Sequence, residues 1–491
     1  MNKQRTLNAV LRTDLASFIQ KTFARIRPGE FYVHNWHIDA MAWALMQCYE
    51  GRIKRLIITL PPRNLKSIVT SVAFPAWVLG HDPTRKIIGV SYADALANRH
   101  AFDTRTVMDS GWYRNCFPGT RPHPRKNTAN EYVSTRQGFR LATSIGGTLT
   151  GRGGNIIIID DPHKPEEALS NTRRPAVIDW CRTTLFSRLD NKGNDVIIVI
   201  QQRLHEEDLA GYLLEQGGWV HLNIPAIAEE TQRIPIGPGK VHIRQPGDCL
   251  DPQREPLAVL DKIKAEIGSY TFAAQYQQQP APSGGGILKW EWFQRYEHQP
   301  EQVGYDELVI SWDTANKAAD YHDYSVGTVW LLKGKHYYLL QVIRERLEFP
   351  DLQRRIIAVS KHWKANCTLI EDKAAGTQLI QDLHSNGNLC IVGITPKEDK
   401  ATRAMSISPI IEGKQVFLPR EASWLADFQR EVVHFPKGKY DDQVDSLTQF
   451  LEWARGRVKC EDLDFNWAVG SKPAAFYEYW ACDHSPSPWD L

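Results

Sequence analysis

Residues 155–161 read Asn-Ile-Ile-Ile-Ile-Asp-Asp, and this run constrains the fold more than any other segment. Consecutive isoleucines offer no polar side to water, so the run reads as a buried strand, and two carboxylates stand at its end. Further short apolar runs, Arg55–Leu60, Lys86–Tyr92 and Asp195–Ile200, read as strands too, with helix-like stretches near 66–79, 93–109, 174–189 and 205–216 between them. That alternation predicts an α/β domain with a mostly parallel sheet covered by helices.

At 491 residues the chain exceeds what a single core organises, so two domains with a small appendage are expected. Hydrophobic residues at 42% and charged residues at 24% predict a folded, soluble protein. No apolar run approaches the roughly 20 residues of a membrane helix. The segment Met1–Arg12 lacks a secretory apolar core, so a cytoplasmic location is expected. Eight scattered cysteines show no metal-ligand spacing, which implies neither zinc nor a disulfide framework. The net charge of +2 is uneven: residues 461–491 hold six acids against Lys472, a balance of −5 that leaves +7 for residues 1–460.

Apolar residues at Leu7, Leu11, Leu15, Phe18, Ile19 and Phe23 predict one opening amphipathic helix, and a second helix is expected after Asn35, with its side chain as the cap. Around 225–286 the texture turns rich in proline, glycine and glutamine, ending in Pro280-Ala-Pro-Ser-Gly-Gly-Gly286. The expected division is therefore 1–224, a linker or lid region over 225–286, a second α/β domain over 287–458 with a mixed sheet, and a tail over 459–491. The second domain should open with strands Glu307–Asp313, Tyr324–Lys333 and His336–Arg344, then a helix near 350–364 and a strand Thr368–Asp372. No internal repeat is found.

Strand Arg55–Leu60 runs through Pro61-Pro62-Arg63-Asn64-Leu65-Lys66-Ser67 into a helix, the setting of a phosphate-binding loop. Backbone amides would hold phosphate oxygens, Lys66 would neutralise the β and γ charges, and Ser67 would ligate magnesium. A basic turn that merely caps a helix has the same composition, and Leu65 stands where glycine would ease a positive φ. The acid-ended strand supplies the support: Asp160 is the candidate magnesium partner and Asp161 the favoured water-polarising base, with Glu166 and Glu167 as competitors. Arg152, in a glycine-rich loop, is a candidate arginine finger or a plain surface arginine. Gln201, Gln202 and Arg203, after the next strand, are candidate γ-phosphate sensors or solvated loop residues. Trp36 and His37 are candidates for adenine contact, and a core tryptophan beside a capped helix explains them as well.

Two-metal cleavage of a phosphodiester needs carboxylates converging from distant segments. Asp313 and Glu371 each end an apolar strand, where an acid is costly unless paired or metal-bound. Tyr440-Asp441-Asp442-Gln443-Val444-Asp445 opens the last long helix, whose spacing puts Asp442 and Asp445 on neighbouring surface and Val444, Leu447, Leu451 and Ala454 on an apolar face. The candidate metal ligands are Asp313, Glu371, Asp442 and Asp445, with Asp323 as a possible supporting ligand. Acids at a helix N-terminus also offset its dipole, an alternative for Asp441 and Asp442. Gly376 is a candidate for close DNA approach or a turn, and Lys397 and Lys400 for phosphate contact or solvation.

Together, Leu60-Pro-Pro-Arg-Asn-Leu-Lys-Ser67, Ile159-Asp-Asp-Pro162, Gln202-Arg203-Leu204-His205-Glu206-Glu207-Asp208-Leu209-Ala210-Gly211, Ser311-Trp-Asp-Thr314 and Tyr440-Asp-Asp-Gln-Val-Asp445 resemble the large subunits of tailed-bacteriophage DNA-packaging terminases, over roughly residues 30–455. The resemblance implies an ASCE-type P-loop ATPase domain followed by a ribonuclease H-like endonuclease, using ATP and Mg2+, with Mn2+ able to substitute at the nuclease. It also implies double-stranded DNA, a small terminase subunit and a procapsid portal as partners, a homo-oligomeric, pentameric ring, and residence in the host cytoplasm and transiently on the procapsid. The aromatic tail, with Trp467, Phe476, Tyr477, Tyr479, Trp480 and Trp489, would dock on portal or capsid, or be a passive end. The rival readings are a helicase-like repair or recombination motor whose second domain binds DNA without cutting it, and a scaffolding protein with decayed sites.

Overall fold

The computed structural model describes residues 3–149, 151–280, 286–314, 324–373, 375–385, 389–396, 398–438 and 440–457. Asp323, Lys397 and the tail beyond 457 lie outside the described residues, as do 281–285 of the Pro-Ser-Gly run.

The isoleucine run is a strand flanked on both sides by other strands. The first sheet contains β1 (Arg55–Thr59), β2 (Lys86–Ser91), β3 (Glu131–Val133), β4 (Phe139–Ser144), β5 (Ile156–Asp160), β6 (Val196–Gln201) and β7 (Val220–Asn223), in the order β3-β4-β2-β5-β6-β1-β7. Every pairing is parallel except β3 with β4. Because side chains alternate along a strand, Ile156 and Ile158 enter one core, with Phe74, Trp77 and Leu45, while Ile157 and Ile159 enter the opposite one, with Cys181, Leu185 and Leu209. Layers of helices on both faces explain why the run tolerates no polar residue before Asp160.

The second sheet contains β10 (Gln294–Tyr296), β11 (Glu307–Asp313), β12 (Ser325–Lys333), β13 (His336–Glu345), β14 (Cys367–Glu371), β15 (Ile391–Ile394) and β16 (Val416–Pro419), in the order β10-β16-β13-β12-β11-β14-β15. Strands β11, β12 and β13 pair antiparallel, and the remaining pairings are parallel, so the sheet is mixed as expected. The helix Asp442–Arg455 lies on one face: the Ser446 hydroxyl donates to the Ser311 carbonyl at 2.8 Å, and Phe450 stacks on Trp330 at 4.4 Å. The helix Phe349–Trp363 covers the other face through Leu352, Ile356 and Val359.

Between the sheets, the described residues 225–280 hold structure of their own. They form the hairpin of β8 (Gln232–Gly237) and β9 (Lys240–Arg244), then helices Leu257–Ile267 and Ser269–Gln275. Buried Arg244 pins this segment by donating to the carbonyls of Pro225, Ala226 and Asp248. Glu412, at the end of the helix Lys400–Glu412, accepts from the Ser269 amide at 2.9 Å.

Three local expectations change. The opening helix is two helices, Lys3–Thr13 and Leu15–Ile26, because Asp14 breaks the run and accepts from the Ser17 amide at 2.9 Å as an N-cap. Asn35 precedes the helix Trp36–Tyr49 without capping it, since its amide donates instead to the Leu250 carbonyl at 2.9 Å. The helix expected near 205 begins at Leu209, where Asp208 supplies the cap. No helix among the described residues is long and apolar enough to cross a membrane.

Replacing Ile158, fully packed in the first core, by alanine should cost about 2–5 kcal/mol. Denaturant unfolding with unchanged slope and a lowered midpoint would check this.

Candidate nucleotide and nuclease sites

Strands β5, β6 and β1 are neighbours, so the loops at their C-terminal ends open on one edge of the sheet. After β1 the loop turns through Arg63 at φ 62° and Leu65 at φ 59°, left-handed geometry that is strained for any residue with a Cβ. Leu65 holds it because its side chain packs against the first core. Lys66 and Ser67 then open a helix that continues to His81, with a wider π turn over Ile68–Ala73.

Lys66 is buried, and its ammonium lies 2.9 Å from Asp161 Oδ1. Asp161, at φ 45°, also accepts from the Gln202 amide at 3.2 Å. Asp160 points to the opposite face and is held by the Ser67 hydroxyl at 3.0 Å and the Ser71 hydroxyl at 2.6 Å, with His100 Nδ1 at 3.6 Å. Burial raises both carboxyls; Ser71 and Lys66 oppose it at Asp160, and Lys66 opposes it at Asp161. The two strand-end acids are thus divided, one toward the loop serine and one toward the loop lysine. Carboxylate and hydroxyl oxygens are the hard donors that magnesium takes, and a buried lysine facing an acid can exchange that partner for phosphate.

The remaining sequence candidates fall around this core. Asn64 is buried and donates to the Pro62 carbonyl at 3.0 Å, while Arg254 from the intervening segment donates to the Arg63 carbonyl at 2.7 Å and to Asn64 Oδ1 at 2.8 Å. His37 is buried nearby, and desolvation, aided by Arg254, pushes it down to about 3, so its ring is neutral. Trp36 stacks on His242 at 4.3 Å with the Arg244 guanidinium 5.5 Å from its ring, a geometry that favours the packing reading of this tryptophan. Arg203 is engaged with Asp208 at 3.0 Å, and its amide donates to Gln278 Oε1 at 3.0 Å, so this arginine braces the loop against the intervening segment. Glu166 is exposed on the short helix Pro165–Ala168, and Glu167 pairs with Arg173 at 2.5 Å. Arg152 pairs with Glu131 of its own chain at 2.6 Å and lies over Phe139.

In the second sheet, β11 and β14 are adjacent and parallel, so Asp313 and Glu371 end side by side. The last helix brings Asp442 and Asp445 over them because Ser446 and Gln449 bond to Ser311. Asp313 is raised well above the carboxylate range by burial and then by the charges of Asp445 and Glu371. Burial also pushes Asp442 up to about 6, with Glu431 adding to it, and raises Asp445 against the pull of Lys400 and Arg403.

Two cations from the helix Lys400–Glu412 enter this cluster. Lys400 bonds to Asp441 Oδ1 at 2.7 Å and closely to Asp445 Oδ2. Arg403, itself buried, donates to Asp445 Oδ1 at 2.8 Å and lies 3.9 Å from Glu371 Oε2. Among the described residues no three acid, histidine or cysteine side chains are gathered tightly enough to hold an ion as they stand. Five acids against two cations nevertheless leave an anionic, oxygen-rich cluster that suits Mg2+ or Mn2+ once those cations swing aside. Gly376 is dictated from within: a Cβ there would meet the Glu371 carbonyl at 2.0 Å.

Sequence reasoning missed Arg403, Arg254, Ser71, His100 and Arg140. Arg403 falls three residues after Lys400 on a helix, the spacing that shares a face, which was the available signal. Arg140 lies fully buried within β4, where burial lowers it to about 10 and Asp160 opposes the shift.

A parallel sheet with a strand–loop–helix turn at its edge, followed by a mixed sheet whose strand ends gather carboxylates, defines a two-part α/β architecture. Residues 310–453 match the family described as terminase RNase H-like domain. The fold of the chain is that of a phage large terminase. The large terminase of a thermophilic bacteriophage superimposes with a TM-score of 0.52 at 11% identity, covering 86% of this chain and 99% of that one. The complex of that same terminase with ADP gives 0.50 at 12% identity, over 85% and 98%. The bacteriophage HK97 large terminase aligns over 90% and 99% at 11% identity, with a TM-score of 0.37. No curated protein matches the sequence.

A metal ion bound at the second cluster would displace protons as well as Lys400 and Arg403. Because the folded carboxyls titrate higher than in the unfolded chain, the metal-free protein binds extra protons and loses stability as pH rises from about 4 through 6. Manganese affinity should run the other way, weakening roughly tenfold per pH unit below about 6. Calorimetric titration at pH 5, 6 and 8 measures this; an affinity flat across that range contradicts the assignment.

Proposed function

We propose that this protein is the large subunit of a tailed-phage DNA-packaging terminase, in which ATP hydrolysis drives double-stranded DNA into a preformed capsid and a two-metal endonuclease cuts the concatemer. The division proposed is residues 1–224 as motor, 225–286 as linker or lid, 287–458 as nuclease and 459–491 as an acidic aromatic tail. The observation that carries the reading is the presence on one chain of Lys66 facing Asp161 and of Asp313, Glu371 and Asp445 sharing one field.

In the motor, Lys66 would leave Asp161 for the β and γ phosphates, which frees Asp161 to polarise the attacking water. Ser67 and Asp160 would hold magnesium, whose chemistry is to neutralise the developing phosphate charge. The ADP complex of the thermophilic phage's large terminase supports a nucleotide as ligand. Gln202, whose amide fixes Asp161, would report the γ-phosphate, and Arg152 would serve a neighbouring subunit once released from Glu131. In the nuclease, Asp313, Glu371, Asp442 and Asp445 would hold divalent ions, which activate water and stabilise the leaving oxygen. Lys400 and Arg403 would then turn from carboxylates to substrate phosphate. A pentameric ring on the portal, fed by a small subunit, completes the reading.

Two variants separate the activities. Lys66→Ala should lower DNA-stimulated ATP hydrolysis by about a hundredfold or more while manganese-dependent plasmid cleavage persists, and Asp313→Asn should do the reverse. A wild-type chain that hydrolyses ATP and leaves plasmid intact in manganese would favour the helicase-like rival.

A further inference from the structure

Strand β13 ends in Arg344 and Glu345, and Arg346 follows it. Arg344 lies opposite Val326 of β12, and Val326 lies opposite Asp313 of β11. Directly opposed residues of antiparallel strands share a face, so Arg344 and Asp313 stand in one row beneath the last helix. Two strand spacings, about 10 Å, separate them.

The arginine is held in an unusual way. Its guanidinium lies 4.0 Å from the Tyr324 ring and 4.8 Å from the Tyr440 ring, and the Arg346 guanidinium lies 4.4 Å from the same Tyr324 ring. The tyrosines meet edge to face at 5.8 Å. The result is a ladder of Arg346, Tyr324, Arg344 and Tyr440, whose last member precedes Asp441 and Asp442 in sequence. Nε and Nη2 of Arg344 are buried without a hydrogen-bond partner, and neither arginine has a salt bridge among the described residues. The acids whose fields Arg344 enters are Glu431 and Asp442, yet Glu431 already accepts from Gln443 Nε2 at 2.6 Å and the Val444 amide at 3.2 Å.

Two cations sharing one ring repel each other, and a charged donor left unpaired in a buried position survives where something else completes it. Stacked arginines keep the planar fork that takes phosphate oxygens in pairs. A DNA strand approaching Asp313 before metal is bound meets a surplus of acids, while Lys400 and Arg403 are still tied to them. Cations outside that network are the ones free to meet it first.

We propose that Arg344 and Arg346, framed by Tyr324 and Tyr440, clamp backbone phosphates of the DNA strand that enters the Asp313 centre. The location rests on the nuclease reading; the phosphate chemistry does not.

The test is binding of the full chain to a random-sequence DNA duplex, without divalent cation, across a salt series, alongside manganese-dependent cleavage of the same duplex. Arg344→Gln and Arg346→Gln together should weaken binding about tenfold and flatten the log affinity against log salt slope by about 1–2, one phosphate contact counting about 0.9. The apparent KM for DNA should rise while the manganese concentration for half-maximal cleavage stays in place. Arg346→Gln alone alters an exposed residue and should give part of the effect without endangering the fold, and Arg344→Lys should restore the salt slope but not the full affinity. An unchanged slope in the double variant overturns the clamp, as does a shift confined to the manganese requirement. If wild-type protein binds but never cuts while the slope still falls, the clamp stands and the nuclease reading fails.

Discussion

Carboxylates buried at the ends of apolar strands are the constraint on which the rest of this structure depends. Each must be compensated, because an ionised group out of water is held only by partners. At β5 the partners are hydroxyls and a lysine: Ser67 and Ser71 satisfy Asp160, and Lys66 faces Asp161. At β14 the partner is Arg403, 3.9 Å from Glu371, and at β11 the field of Lys400 opposes the shift of Asp313; both cations come from a helix that follows neither strand directly. Both centres hold their acids with cations or donors, which in the proposed reading give way to phosphate at the first and to metal at the second.

The same constraint explains the unusual local geometry. The loop after β1 must bring Lys66 back over Asp161, and it does so through left-handed Arg63 and Leu65. A glycine would relieve the backbone, but Leu65 adds an apolar anchor against the core, and Arg254 ties the loop from outside through Arg63 and Asn64. The segment between the sheets is thus built onto the loop after β1 at one end and, through Ser269 and Glu412, onto the helix bearing Lys400 and Arg403 at the other.

Much of the architecture was readable from apolar runs. Strands β1, β2, β5, β6, β11, β12, β13 and β14 lie within a residue or two of expectation, because their apolar patterns are long and unbroken. Strand β4 escaped notice since Arg140, Thr143 and Ser144 interrupt it, and β7 because His221 and Asn223 make a half-exposed strand look like a loop. The acids of the candidate centres were readable as strand ends and as a helix start. Of their cations, Lys66 and Lys400 were readable and Arg403 was not: apart from its spacing from Lys400, nothing local distinguishes a buried Arg403 from a solvated arginine, and only the fold brings it to Asp445. Arg203 and Trp36 show the converse, since polar or aromatic residues beside a site are occupied by structural partners that lie far away in sequence.

In the proposed reading, acids from β11, β14 and the last helix form one divalent-metal centre once Lys400 and Arg403 withdraw. Anomalous diffraction from crystals of the full chain grown with manganese tests it most directly. Manganese peaks are expected between Asp313, Glu371, Asp442 and Asp445, with the Lys400 ammonium moved off Asp445. Manganese bound elsewhere, with the Lys400 and Arg403 contacts to Asp445 intact, would contradict it.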